Sequence, residues 1–118
     1  MTPEQQALLA SKATIGQDVW FKQKGNVGPR YRVGRVVDEV SLIVADYKHL
    51  IQKIAIDDPE SWEGQDFGYR TGYYTFDAKG KRLLWGQYTQ FLTASQYRQL
   101  LVAAREKGWG LDLGVLGT

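Results

Sequence analysis

The apolar positions of this chain follow two rhythms. Near the C-terminus Tyr97, Leu100, Leu101 and Ala104 recur at i, i+3, i+4 and i+7, which draws one stripe along an α-helix. Thr93 stands before the stripe with Gln96 three residues on, the pattern of a capping box. Arg105 and Lys107 fall in the last turn, where cations complement the helix dipole, and Gly108 is a natural stop. A second helix is predicted at the other end of the chain. Thr2 supplies the cap, Pro3 suits the first helical position and Gln5 completes another capping box. That helix should run to about Lys12 with Leu8 and Leu9 as apolar contacts. It is short and weakly amphipathic, so it must lean on the rest of the fold.

Between the helices the rhythm is that of strands. Residues 17–23 carry Val19, Trp20 and Phe21, and residues 24–29 hold two glycines, an asparagine and Pro29, which is turn chemistry. Residues 30–40 read as a long strand with Tyr31 and Val33 on one parity, and Gly34 inside it predicts a bulge or tight bend. Asp38 and Glu39 are expected to turn the chain into a third strand, 41–47, apolar enough to be covered on both faces. Residues 50–56 form a fourth, stopped by Asp57-Asp58-Pro59, with a helix over 47–56 as the competing reading. Residues 69–76 and 83–91 then flank Asp77-Ala78-Lys79-Gly80-Lys81-Arg82, a hairpin signal with Gly80 at the left-handed position. The tail, 109–118, reads as an edge strand or a loose arm. These elements predict one α+β domain over residues 1–118. Its sheet should be mainly antiparallel and strongly bent, or a small SH3-like barrel, with an N-terminal and a C-terminal helix.

Composition changes this picture little. The chain has 118 residues, 43% hydrophobic and 24% charged, so it can bury a working core without staples. It has no cysteine, which excludes disulfides, thiolate zinc sites, iron–sulfur clusters and cysteine nucleophiles. No apolar run approaches the roughly 20 residues of a spanning helix. The first residues, Met1 to Gln6, lack the basic start and apolar stretch of a signal peptide. The expectation is a cytoplasmic protein, away from membranes. A net charge of +2 is too small to mark a nucleic-acid binder, and only its distribution speaks.

That distribution is uneven. From Val19 to Val37 every charged residue is basic: Lys22, Lys24, Arg30, Arg32 and Arg35. From Asp57 to Asp66 every one is acidic: Asp57, Asp58, Glu60, Glu63 and Asp66. Clustered charge either lies in solvated loops or serves a partner of opposite sign. Trp20, Phe21 and Tyr31 interleave with the cations, and single-stranded nucleic acid needs both cations for phosphates and rings for bases. The acidic loop does not match the spacing of an EF-hand, and no metal site is assigned to it. Neither Gly25-x-x-Gly28 nor Gly64-x-x-x-Gly68 has the lysine and hydroxyl of a phosphate loop, so no nucleotide or other cofactor is expected. His49, the only histidine, reads as a surface or turn residue.

One pattern points to catalysis. Asp38 is followed by Asp46-Tyr47-Lys48 at the end of an apolar strand, and alternation places Asp46 and Lys48 on one face. Residues 30–50 thereby resemble the PD-(D/E)xK nuclease core, with Asp46 in place of the usual glutamate and no proline before Asp38. The resemblance implies Mg²⁺ held by Asp38 and Asp46, with Lys48 beside the attacking water. The leading expectation is different: a non-catalytic module that binds a protein partner or a second copy of itself. Its candidate residues are Lys22, Lys24, Arg30, Arg32 and Arg35 for an anionic contact, and Tyr69, Tyr73 and Trp85 for an apolar one. Nucleic-acid binding through residues 22–35 and the metal-dependent nuclease are the alternatives.

Overall fold

Both capping boxes form. In the computed structural model, which describes residues 1–21, 30–86 and 92–110, helix α1 spans Pro3–Ser11 and helix α2 spans Ala94–Glu106. The Thr2 hydroxyl accepts from the Gln5 N–H while the Gln5 side chain accepts from the Thr2 N–H, and Thr93 and Gln96 repeat the exchange. Each such cap contributes about 1 kcal/mol. Between the helices lie β1 (Asp18–Phe21), β2 (Tyr31–Val44), β3 (Tyr47–Ile56), β4 (Phe67–Phe76) and β5 (Leu83–Gly86). They form one sheet in the order β1-β2-β3-β4-β5, so strands adjacent in sequence are adjacent in space and pair antiparallel. The fold is therefore α+β, with an antiparallel sheet and N-terminal and C-terminal helices. Among the described residues no helix is long and apolar enough to cross a membrane.

The strand pattern departs from expectation at one place. Asp38 and Glu39 do not turn the chain, and β2 runs through them to Val44. The Glu39 carboxylate is occupied within the strand: it accepts the Thr14 N–H at 3.2–3.3 Å and the Thr14 hydroxyl at 2.7 Å. Asp38 accepts the Glu39 N–H at 2.9 Å. The turn comes instead at Ala45-Asp46, where Ala45 takes the left-handed φ of 54°. Residues 47–56 are strand throughout, which removes the helical alternative. Gly80 adopts its expected positive φ of 69°, and the Asp77–Arg82 turn closes with the Asp77 N–H donating to the Arg82 carbonyl. The tail from residue 111, the turn at 22–29 and the continuation of the last strand over 87–91 lie outside the described residues.

The chain packs as two compact units. The first comprises Met1–Ala13, Val40–Ile51 and Thr71–Thr118. Here β3 is covered on both faces. Ile51 packs with Val40, Leu100, Ala104 and Trp109, which seats α2 on the sheet. Leu50, one residue earlier and so on the opposite face, packs with Leu9 of α1 and with Tyr74. Only Leu9 of α1 is buried; Leu8 faces solvent. Two glycines let aromatic rings lie flat across the β4–β5 ladder. A Cβ on Gly72 would stand 2.2 Å from the Trp85 ring, and one on Gly86 would stand 2.4 Å from the Tyr73 ring. With Tyr73 paired to Gly86 and Tyr74 to Trp85, each ring covers a glycine of the neighbouring strand.

The second unit comprises Thr14–Glu39 and Gln52–Arg70. Its core is Val19, Val33, Val36 and Ile54, with half-buried Phe21 packed against it. Val33 and Val36 are three apart, so strict alternation would send them to opposite faces. A β-bulge resolves this: Val19 pairs with Gly34 but Trp20 pairs with Arg32, which skips Val33. Gly34 is required at that point, because a Cβ there would lie 1.9 Å from the Ala55 carbonyl oxygen.

Candidate aromatic binding surface

The second unit leaves five of its six aromatics exposed. Trp20, Tyr31, Trp62, Phe67 and Tyr69 are between 37% and 45% exposed. The ladder sets the first two. Phe21 pairs with Tyr31 across β1–β2, and their rings meet edge-to-face at 6.3 Å and 84°. Trp20, one residue earlier, faces the other way and pairs with Arg32. Trp62 is delivered by a 3-10 turn, Pro59–Trp62, that starts on a proline. Glu63 and Gly64 end that turn with positive φ, and the Ser61 hydroxyl donates to Asp58 at 2.7 Å. The Trp62 ring meets Phe21 at 6.4 Å and 72°. Phe67 and Tyr69 are two apart along β4 and so share a face, with the less exposed Gly68 between them. Burial pushes the Tyr69 phenol above its ordinary value.

The cations of this unit are largely engaged. Arg32 lies 3.1 Å from Asp18 and 3.5 Å from Asp57, and Arg35 lies 3.8 Å from Asp18. The Arg30 guanidinium sits 5.7 Å from the centre of the Trp20 ring, and the Lys53 ammonium 4.2 Å from that of Phe67. Exposed contacts of either kind contribute about 1 kcal/mol or less each. Trp20 and Phe67 remain exposed beside these cations. Lys22 and Lys24 lie outside the described residues. Of the apolar candidates, Tyr69 belongs to this surface. Tyr73 and Trp85 are half-buried in the first unit, Tyr73 against Tyr47 at 5.4 Å and Trp85 against Tyr74 at 5.1 Å.

The residues of the nuclease pattern have separate occupations. Asp38 binds its neighbour's N–H, as above. Asp46 is exposed in the β2–β3 turn, so strand alternation does not govern its direction. Lys48 is buried, and its ammonium donates to the carbonyls of Ala10 and Lys12 at 2.8 and 2.6 Å. Among the described residues no group of three histidine or acidic side chains is placed to hold a metal ion. An open cleft of about 540 Å³ in the first unit has Gln5, Gln6, Asp46 and Asp77 on its walls. Asp77 there is a turn residue. It accepts backbone N–H groups from Lys81 at 3.0 Å and Arg82 at 3.4 Å, and these bonds hold its carboxyl below the usual range.

His49 is neither a surface nor a turn residue. It lies inside β3, 4% exposed, stacked on Tyr47 at 6.0 Å and 6.1 Å from Tyr73. Burial pushes its imidazole below the ordinary value of 6.5. The folded protein therefore resists a proton that the unfolded chain accepts. This contribution to stability is complete above the unfolded value and is lost as pH falls through the folded one. The urea midpoint should accordingly drop between about pH 7.5 and pH 5.5, a window above most carboxylate titration, and His49→Gln should flatten the drop. A midpoint that rises on acidification would contradict this.

Trp62 and Phe67 escaped the sequence reading as surface residues. Their signal was present: both sit within or beside an acidic loop that offers little apolar cover. Comparison with protein-family models, with curated proteins and with solved structures finds no match for this chain.

Proposed function

We propose that this chain is a non-catalytic binding module that takes a protein partner on the aromatic surface of its second unit. The observation that carries the reading is the exposure, within one small unit, of Trp20, Tyr31, Trp62, Phe67 and Tyr69. Fully burying a large apolar side chain is worth about 1.5–3 kcal/mol, so a surface that leaves several half in water holds unspent binding energy. Aromatics and arginine are also the residues that dominate protein interfaces. The ion pairs favour a protein partner over nucleic acid. Arg32 and Arg35 face Asp18 and Asp57, and a phosphate would have to displace those carboxylates.

The test is selection of peptides from a random display library on the folded protein, followed by mapping of the bound peptide by NMR. The expected result is that selected peptides perturb the Trp20 and Phe67 rings. Trp20→Ala with Phe67→Ala should weaken binding at least about tenfold without moving the unfolding midpoint, and added salt should have little effect. Peptides that map elsewhere, or affinities indifferent to both changes, would overturn the reading. Labelled single-stranded and double-stranded DNA and RNA serve as the comparison. Binding there that collapses between low and moderate salt would move the assignment to nucleic acid.

A further inference from the structure

In the same unit, and resting on the reading just given, we propose that the corner formed by Phe21, Tyr31 and Trp62 seats a lysine side chain of the partner protein. The first reason is the shape of the corner. Tyr31 and Trp62 each stand nearly perpendicular to Phe21, at 84° and 72°, with centroids 6.3 and 6.4 Å away. Phe21 is half-buried and the other two rings are exposed, so both exposed rings are anchored to the core through Phe21. Ring faces carry negative potential, and aromatic corners of this kind are suited to ammonium groups.

The second reason is charge. Trp62 sits in the acidic loop, between Glu60 and Glu63, with Asp58 and Asp66 nearby in sequence, and all four acids are exposed. Among the described residues, ion pairs account for Asp57 alone of the five acids in this loop. On its Trp62 side the corner thus has surplus carboxylate, which favours a cation over an anion, while Arg32 beside Tyr31 is paired with Asp18 and Asp57. The third reason is the pattern of the surface itself. Trp20 and Phe67 already carry cations of this chain, Arg30 and Lys53. Among the described residues no cation lies over Phe21, Tyr31 or Trp62. The same ring–cation contact is built twice within the unit, and the corner offers a third place for it, with its own counter-charge.

Three capped peptides test the proposal: one with a single central lysine in a glycine–serine context, one with trimethyl-lysine there, and one with norleucine, which keeps the stem and lacks the charge. Each is titrated into the full chain while the Trp62 indole and Tyr31 ring resonances are followed. The lysine peptide should bind roughly tenfold more tightly than the norleucine peptide, and the trimethyl-lysine peptide at least as tightly as lysine. Trp62→Ala should abolish the preference. Glu60→Gln with Glu63→Gln, which touches no ring, should weaken lysine binding severalfold and remove its salt dependence. Equal binding of lysine and norleucine peptides, or an undiminished preference in Trp62→Ala, would overturn the assignment of the corner. In that event display-selected peptides that still require Trp20 and Phe67 would leave the broader binding reading standing, whereas their loss as well would remove both.

Discussion

Alanine at position 34 is expected to destabilise the protein by about 3 kcal/mol or more, at the upper end of overpacking changes. The substitution adds a single methyl group, yet that group would lie 1.9 Å from the Ala55 carbonyl oxygen and 2.9 Å from its carbon. Both partners in the clash are backbone. A side chain could rotate away, but here β2 and β3 must separate. Gly34 is also paired to Val19 on its other side, next to the bulge that turns Val33 and Val36 into the same core. Moving the strand would therefore disturb the bulge and the small core together. Gly68→Ala is the matched control: its Cβ would meet only the Ile56 side chain at 3.5 Å, an ordinary contact. Thermal unfolding should show a fall of roughly 10 °C or more for Gly34→Ala and little change for Gly68→Ala. Equal behaviour of the two would mean that β2 and β3 do not approach as described.

The features that were legible in the sequence are those governed by local chemistry. Thr2 with Gln5 and Thr93 with Gln96 form their capping boxes because the donors and acceptors lie within one turn. Gly80 takes its left-handed φ and Gly34 sits beside its bulge for the same reason: the backbone demand is local. What was not legible depends on contacts distant in sequence. Asp38-Glu39 looked like a turn because two adjacent acids rarely sit in a covered strand, and Thr14, 25 positions away from Glu39, removes the objection. Lys48 looked like the lysine of an acid-x-Lys site and His49 like a surface or turn residue because nothing nearby announces that β3 is central and covered on both faces. The charge pattern shows the same division. Basic and acidic runs are plainly sorted along the chain, but the fold brings Asp18 and Asp57 onto Arg32, so the basic run is partly neutralised in space. The aromatic surface was half visible. Tyr69 was anticipated, while Tyr73 and Trp85 are half-buried against neighbouring rings, and Trp20, Trp62 and Phe67 take the exposed places.

Lys48→Met should cost about 2–3 kcal/mol and should act on α1 before anything else. The last carbonyls of a helix lack partners within it, and burying them unpaired is expensive. At the end of α1 the Lys48 ammonium supplies donors to two of them, Ala10 and Lys12, at 2.8 and 2.6 Å, and its positive charge meets the negative end of the helix dipole. The helix has few other anchors: nine residues, one buried side chain in Leu9, no basic residue in its last turn, and the Gln5 amide donating to the Gly80 carbonyl at 2.9 Å. Methionine keeps the apolar stem and volume while removing the donors, so the loss measures the capping bonds and not a cavity. Two readouts separate this role from a catalytic one. Denaturant unfolding should show the full loss with or without Mg²⁺, and hydrogen exchange should accelerate across residues 3–12 more than in α2. If stability changed by less than about 0.5 kcal/mol and exchange in α1 stayed the same, the capping role would be wrong, since surface changes of no structural consequence fall in that range. The physical point is general to this strand. A buried lysine in a central strand is tolerated here because a helix end provides the acceptors that water would otherwise supply. The lysine of an acid-x-Lys pattern is thereby given structural work that its sequence neighbours do not reveal.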